Sequence, residues 1–370
     1  MIPLNEFKRQ WEDTRAPALE AFVAVGEEAW YILGRHVAEF EASLAARWQM
    51  RHATGVASGM DALEIALTIA GCKRGDRVLT TPLSAFATTL AIVRLGAVPV
   101  FVDTDRYGLI DLELCRKVLG ARPEIRFVVP VHLYGNALDE AELRRLRDDF
   151  GVTVVEDCAQ SIMATFDGRP TGAVGRLAAT SFYPTKNLGA MGDGGAVLTN
   201  EAAADAAAKA LRDYGQTAKY RHDHVGYNSR LDELHAALLL RAYLPRLERW
   251  TARRRAIAHR YLDGIIGREV QCLGTPPGSC SSWHLFPALV EPELKHDFMA
   301  HLRSRDVGCG EHYPWPIPRQ RALADREFEV FGAVDTAERI CGSEVSLPIH
   351  PYLTDEETAR VIDACNTWKP

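Results

Sequence analysis

A chain of 370 residues with 47% hydrophobic and 25% charged composition is an ordinary globular sequence, long enough for a large core in two domains. Its net charge of -6 argues against a nucleic-acid polyanion as main ligand, and no stretch approaches the roughly 20 apolar residues that cross a bilayer. Eight scattered cysteines without a C-x-x-C pair or histidine clustering predict reduced thiols in a cytoplasmic protein, with no metal site.

The segment Met1 to Trp11 is charged and has no apolar signal core. Residues 16–49 read as helix, with Trp30, Leu33, Val37, Phe40 and Leu44 at helical spacing. Ser58 is a predicted N-cap for a helix whose stripe is Met60, Leu63, Leu67 and Ala70, stopping at Gly71. A strand at 78–81, a helix from Ala85 to Leu95 and a strand at 98–103 follow. The run 127–131 is continuously apolar, as a strand covered on both faces must be. Asp139 with Glu142 is a capping box, and Val152-Thr153-Val154-Val155 runs straight into Glu156-Asp157. Strands alternating with helices predict a mostly parallel α/β sheet, whose ligands bind beyond the carboxyl ends of the strands.

The next strand, opening at Ala178, is short and apolar and ends in a hydroxyl residue; a Pro-bearing turn then presents Lys186, and Gly192-Asp193-Gly194-Gly195 follows. From Leu231 a long helical pattern bends at Pro245 and continues to about Gly264. Its run Arg253-Arg254-Arg255 reads as a solvated helix face. After the Gly/Pro-rich segment 274–278 come short strands and helices at about 292–305 and 354–368, the last capped by Thr354 with Glu357. The expected division is a large α/β domain over 1–245 and a smaller α+β domain over 246–370.

The chain has no G-x-G-x-x-G, Walker loop or H-E-x-x-H. Asp103-Thr104-Asp105 opens like a calcium loop, but Tyr107 and Leu114 stand at later ligand positions and exclude it. What remains suits pyridoxal 5'-phosphate. That cofactor needs an amine, a carboxylate against its ring nitrogen, an anion site for its phosphate and a cover for its ring. Lys186 supplies the amine and Asp157 the carboxylate. Ser58-Gly59-Met60-Asp61 opens a helix whose free N–H groups suit a phosphate, and Ser181 adds a hydroxyl. Phe86 is placed to stack on the ring, and Gln160 to donate to its phenolic oxygen. Taken singly, each has a plainer reading: Asp157 as a strand-end residue, Ser58 as a cap, Phe86 as core, Gln160 as a solvated helix residue. Their joint order is what selects the cofactor.

End to end, the chain resembles the DegT/DnrJ/EryC1/StrS family of pyridoxal-phosphate-dependent sugar aminotransferases. The matching segments are 58–63, 96–103, Pro130-Val131-His132-Leu133-Tyr134-Gly135, Glu156-Asp157-Cys158-Ala159-Gln160, 181–195, Gly226-Tyr227-Asn228-Ser229-Arg230-Leu231-Asp232-Glu233 and Leu347-Pro348-Ile349-His350-Pro351. The resemblance implies an aspartate aminotransferase-like fold (fold type I), and a homodimer with active sites at the subunit interface. It implies Lys186 as the cofactor-bearing lysine, Asp157 as the ring-nitrogen partner and Gln160 as the phenolate contact. Gly59, Met60 and Ser181 become phosphate ligands, and Asn228 reaches the phosphate of the other subunit. Lys186 argues against the family branch that carries histidine there and dehydrates its substrate. Gly192-Asp193-Gly194-Gly195, with Tyr183-Pro184 ahead of the lysine, is similar to the subgroup that aminates 3-keto nucleotide sugars. In that subgroup Tyr183, Lys219, His312 and Tyr313 match positions that touch the sugar. Two departures are Cys158, where alanine is usual, and His235, where glutamine is common.

The expected reaction is a ping-pong transfer from L-glutamate to C3 of a dTDP-3-keto-6-deoxyhexose. A 4-keto sugar or a cyclitol is the alternative acceptor. A non-catalytic cofactor-binding regulator would not require both Lys186 and Asp157. A Rossmann oxidoreductase lacks its glycine fingerprint.

Overall fold

The computed structural model describes residues 1–370. An eight-stranded sheet forms its centre, in the order His52–Val56, Gly195–Thr199, Leu177–Ser181, Thr153–Asp157, Phe127–Val129, Arg77–Thr80, Val98–Phe101, Glu329–Val330. Only Gly195–Thr199 runs against its neighbours, and the remaining pairings are parallel. The continuously apolar strands are buried on both sides, and their side chains alternate between two layers. Leu79, Val128 and Val154 point into one cluster, closed by Cys115 and Val118 of helix Leu112–Ala121 and Leu143 of Glu140–Phe150. Val78, Val129 and Val155 point into the other, against Ala62, Ile65 and Ala66 of helix Gly59–Ala70.

The expected helix over 16–49 is two helices, Phe7–Glu28 and Arg35–Arg47. Ala29 and Leu33 take left-handed φ angles of 51° and 52° between them, and Ala29 closes the first helix through its N–H. Trp30, predicted on an apolar stripe, therefore lies in the break and is 63% exposed. Pro17 sits inside the first helix without ending it. Its missing N–H frees the carbonyl of Asp13, which accepts from Arg246 Nη2 at 3.2 Å instead.

The bend at Pro245 falls in a short 3-10 turn, Leu244–Arg246, which follows a wide turn over Leu239–Tyr243 and precedes helix Leu247–Gly264. Helix Leu247–Gly264 packs with Lys295–Ser304 and Asp355–Thr367 on a three-stranded antiparallel sheet of Gln271–Cys272, Phe286–Leu289 and Glu344–Leu347. Thr354 and Glu357 form the predicted capping box. The arginine run is not a solvated face. Arg253, Arg254 and Arg255 donate to the carbonyls of Leu353, Ile349 and Ser281 respectively, and burial pushes Arg254 down to about 10. These bonds tie the helix to the loops that carry His284 and Ile349.

Asp103 serves the fold. It accepts from Thr336 N (2.9 Å) and Ala337 N (3.0 Å) at the start of helix Asp335–Ser343. Asp105 accepts from Tyr107 N and Leu109 N within its own turn. No helix is long and apolar enough to cross a membrane, and all eight cysteines are free.

Candidate active site

Two adjacent parallel strands build the floor. Asp157 ends one and stands in register with Ala179, two residues before Ser181 ends the other. The turn after Ser181 brings Lys186 back over Asp157, and both line a cavity of about 400 Å³. Ser58, Gly59 and Met60 line its far side, at the start of helix Gly59–Ala70. His312 and Tyr313, from the last third of the chain, close it over the top.

Lys186 is only partly accessible through the cavity. Burial pushes its amine down to about 8, against the opposing pull of Asp157. Burial also raises the Asp157 carboxyl above its ordinary range, opposed by the N–H of Ala159 (3.0 Å), the hydroxyl of Thr88 (2.8 Å) and Lys186. The deep carboxylate thus has one fixed donor on each oxygen and lone pairs left over for a cationic partner.

Ser58 Oγ accepts from Asp61 N at 3.1 Å, and its carbonyl accepts from Ala62 N at 3.0 Å. The N–H groups of Gly59 and Met60 find no carbonyl within the helix, which leaves an anion site. The helix start is pressed against the strand end: a Cβ on Gly59 would sit 2.6 Å from Ser181 Cβ. An amine, a buried carboxylate and a helix start packed against a hydroxyl, all around one cavity, fit pyridoxal phosphate.

Phe86 departs from its predicted role. Its ring packs with Phe101, Ile317 and Leu323, and its neighbours Ala85, Ala87 and Thr88 line the cavity in its place. Gln160 is buried and spent on the protein, accepting from Tyr134 N at 2.7 Å and donating to the Tyr313 hydroxyl at 3.1 Å. It therefore holds Tyr313 in position. Tyr183 lines the cavity while 52% exposed. Asn228 and Lys219 are exposed and do not line it. Asn228 accepts from Arg230, and the Lys219 amine lies 5.4 Å from the centre of the Tyr220 ring.

Three residues at the site were not singled out from sequence. Thr88 orients Asp157. His284 lines the cavity with its Nδ1 3.2 Å from Asn187 Oδ1, and Asn187 donates in turn to the carbonyl of Ser282 at 3.0 Å. Burial, with Lys186 nearby, pushes His284 well below its ordinary value, so the ring is neutral. The signal for Thr88 was its position one turn into the helix that Phe86 opens. Nothing in the local pattern marks His284.

Beneath the floor, His132, Glu156 and Cys158 cluster closely enough to suggest a metal, but the polar atoms of His132 and Glu156 are committed to the protein. His132 Nδ1 accepts from Leu138 N (3.1 Å), so Nε2 carries the proton and donates to Glu156 at 2.8 Å. Glu156 also accepts from the N–H groups of Gly172, Val174 and Gly175. Burial works to raise its carboxyl, but His132 and these donors hold it below the ordinary range.

A family model described as the DegT/DnrJ/EryC1/StrS aminotransferase family matches residues 12–366. The chain is 39% identical over 371 aligned positions to a dTDP-3-amino-3,4,6-trideoxy-alpha-D-glucose transaminase of Streptomyces venezuelae, covering 99% of this chain and 96% of the relative. It is 33% identical to a UDP-N-acetyl-3-dehydro-alpha-D-glucosamine 3-aminotransferase of Acidithiobacillus ferrooxidans, covering 97% and 96%. The crystal structure of S. venezuelae DesV superposes with a TM-score of 0.94 at 39% identity, covering 99% of this chain and 98% of that one. By sequence over nearly its full length and by fold, the chain belongs to the DegT/DnrJ/EryC1/StrS aminotransferase family.

Proposed function

We propose that this aminotransferase uses pyridoxal 5'-phosphate to carry an amino group from L-glutamate to a nucleotide-linked keto sugar, at C3 of a dTDP-3-keto-6-deoxyhexose. The observation that carries the reading is the depressed amine of Lys186 beside the buried carboxylate of Asp157, in one cavity onto which a helix start also opens. When bound, the cofactor supplies an aldehyde that captures amines and a ring that accepts the electron pair released at the substrate carbon.

The chain's own groups do the rest. With its amine near 8, about one Lys186 in ten is neutral at neutral pH, against fewer than about one in a thousand for an ordinary lysine. A neutral amine is the nucleophilic form of Lys186, and it would serve as the general base and acid that moves a proton at the substrate carbon. Asp157, held by Ala159 and Thr88, would bind the ring nitrogen and favour its protonated form. The N–H groups of Gly59 and Met60, with the Ser181 hydroxyl, hold the phosphate. Tyr313, fixed by Gln160, and His312 close the cavity over the reacting carbon and exclude water. Tyr183 stands at the mouth, where a sugar diphosphate has to pass.

The similarity to two transaminases named for 3-amino and 3-dehydro sugars supports C3. A homodimer explains why Asn228 and Lys219 are exposed away from their own cavity: each serves the partner's. Trp30, Tyr31 and Ile32 are exposed by 63%, 54% and 43%, beside Leu234 at 41%. Glu233 N donates to Tyr31 O at 3.0 Å, so these residues form one apolar surface fit for a second copy. The free cysteines fit a cytoplasmic location.

The test follows the visible absorbance of the cofactor-loaded protein. L-glutamate should bleach the lysine-bound band, and a 3-keto nucleotide sugar should restore it. Restoration by the 4-keto isomer alone refutes C3. No bleaching by any amino acid refutes the transfer itself.

A further inference from the structure

We propose that Ser346 and Glu344 lock His312 in the tautomer that carries its proton on Nδ1, so that Nε2 meets the substrate as a hydrogen-bond acceptor. The role rests on the reading of this cavity as the substrate site, but the lock is a property of the protein.

Glu344 and Ser346 lie two residues apart on the strand Glu344–Leu347, so their side chains share one face. Both are fully buried. Glu344 Oε2 accepts the backbone N–H of His312 at 2.6 Å, and Oε1 accepts the Ser346 hydroxyl at 2.5 Å. A serine hydroxyl has a single proton. Having given it to Glu344, Ser346 can only accept from His312 Nδ1, 2.9 Å away. The ring proton is thereby assigned to Nδ1, and Nε2 keeps its lone pair with no protein partner.

The surroundings favour this arrangement. The Tyr134 hydroxyl donates to the His312 carbonyl at 2.6 Å and fixes the backbone. Burial, with Lys186 nearby, pushes the imidazole down to about 4, so it stays neutral. Glu344 is the group whose charge sets the direction of the chain of bonds. Burial pushes it up to about 7, where the Lys295 amine favours its anion and Glu311 opposes it. Lys295 itself is held by Glu311 (2.6 Å) and the carbonyl of Cys341 (2.8 Å). His284 and Tyr313 line the same cavity.

A neutral imidazole that offers only a lone pair selects for a hydroxyl or ammonium hydrogen on the substrate. It rejects a carbonyl or ether oxygen at that point, because two acceptors would face each other. His312 is the residue that touches substrate; Ser346 and Glu344 are positioning residues.

The measurement is ring nitrogen–proton correlation on holoenzyme labelled with 15N-histidine, at a pH above the Glu344 value of about 7. Loss of one signal set in His312→Asn assigns His312 among the 12 histidines. The expected pattern is a protonated Nδ1 and a bare Nε2. In Glu344→Gln the amide donates to Ser346, whose hydroxyl then turns to Nδ1, and the proton moves to Nε2. Should Glu344→Gln fail to fold, Ser346→Ala removes the middle link and the two tautomers then mix. Either variant should lower kcat/KM for the acceptor by about tenfold, the worth of one hydrogen bond. A protonated Nε2 in the wild type overturns the proposal, as does an unchanged Nδ1 proton in both variants. Because the tautomer is read without turnover, its failure and a failure of the transfer reaction are separate results.

Discussion

Gly59→Ala is the substitution in which packing and cofactor binding are most directly linked. The added Cβ would lie 2.6 Å from Ser181 Cβ, 3.0 Å from its Oγ and 3.1 Å from its Cα. Carbon atoms in ordinary contact stay roughly 3.5–4.0 Å apart, so the helix start must withdraw from the strand end by about 1 Å. Overpacking of this kind costs about 1–3 kcal/mol. Alanine returns up to about 1 kcal/mol through its higher helix propensity, leaving a net loss of about 0–3 kcal/mol. The effect on the anion site is larger, because the Gly59 and Met60 N–H groups move with the helix. Losing one charge-assisted hydrogen bond of about 1.5–3 kcal/mol weakens cofactor binding about 10- to 150-fold. Absorbance titration with pyridoxal phosphate reads the affinity, and denaturant midpoints read the stability. Adding Ser181→Gly removes the atoms at 2.6 and 3.0 Å, so stability should recover while affinity stays low for want of the hydroxyl. Wild-type affinity in Gly59→Ala would refute both the close packing and the location of the phosphate.

Three further substitutions have expected signs. Lys186→Ala should abolish amine transfer and make the cofactor-free protein about 1–3 kcal/mol more stable at neutral pH, since the folded amine sits near 8 against an ordinary 10.5. The unfolded chain binds the extra proton between those values, so wild-type stability rises with pH across that window. The gap to the variant should therefore close, as melts at stepped pH would show. Glu156→Gln places an amide against backbone N–H donors and His132, and should lower stability by about 1–3 kcal/mol in denaturant titrations. Glu156 is held below the ordinary carboxylate range. Its contribution is therefore present above the unfolded value of roughly 4.3 and is lost as pH falls through the folded one. Trp30→Ser should weaken self-association about 30-fold, a hot-spot loss of about 2 kcal/mol, in sedimentation equilibrium and leave the monomer's melting unchanged.

The sheet and the lysine–aspartate pair were readable because their signals are local. A strand buried on both faces is a run of apolar residues, and the polar residue that ends it marks the edge where ligands bind. The contacts that orient the pair are not local. Thr88 and Asp157 are 69 positions apart and meet only through strand order. His284 reaches Asn187 across 97 positions and depends on loops that Arg254 and Arg255 pin by their carbonyls. Trp30 misled because its spacing is helical while the backbone turns left-handed on either side. The arginine run misled because charge implies solvent only where no carbonyls need donors, and here several loops supply them. Phe86 stands at the right helix start, but its ring finds more apolar contact outside the cavity than within it.

The distance along the chain between the floor and the roof of the cavity has a consequence during synthesis. Asp157 and Lys186 are in place once the strand Leu177–Ser181 and its turn have formed, whereas His312 and Tyr313 follow about 126 residues later. At ribosomal speeds of about 5–20 residues per second, the amine waits roughly 6–25 s without its cover. In that interval it is an uncovered nucleophile, open to any small aldehyde in the cell.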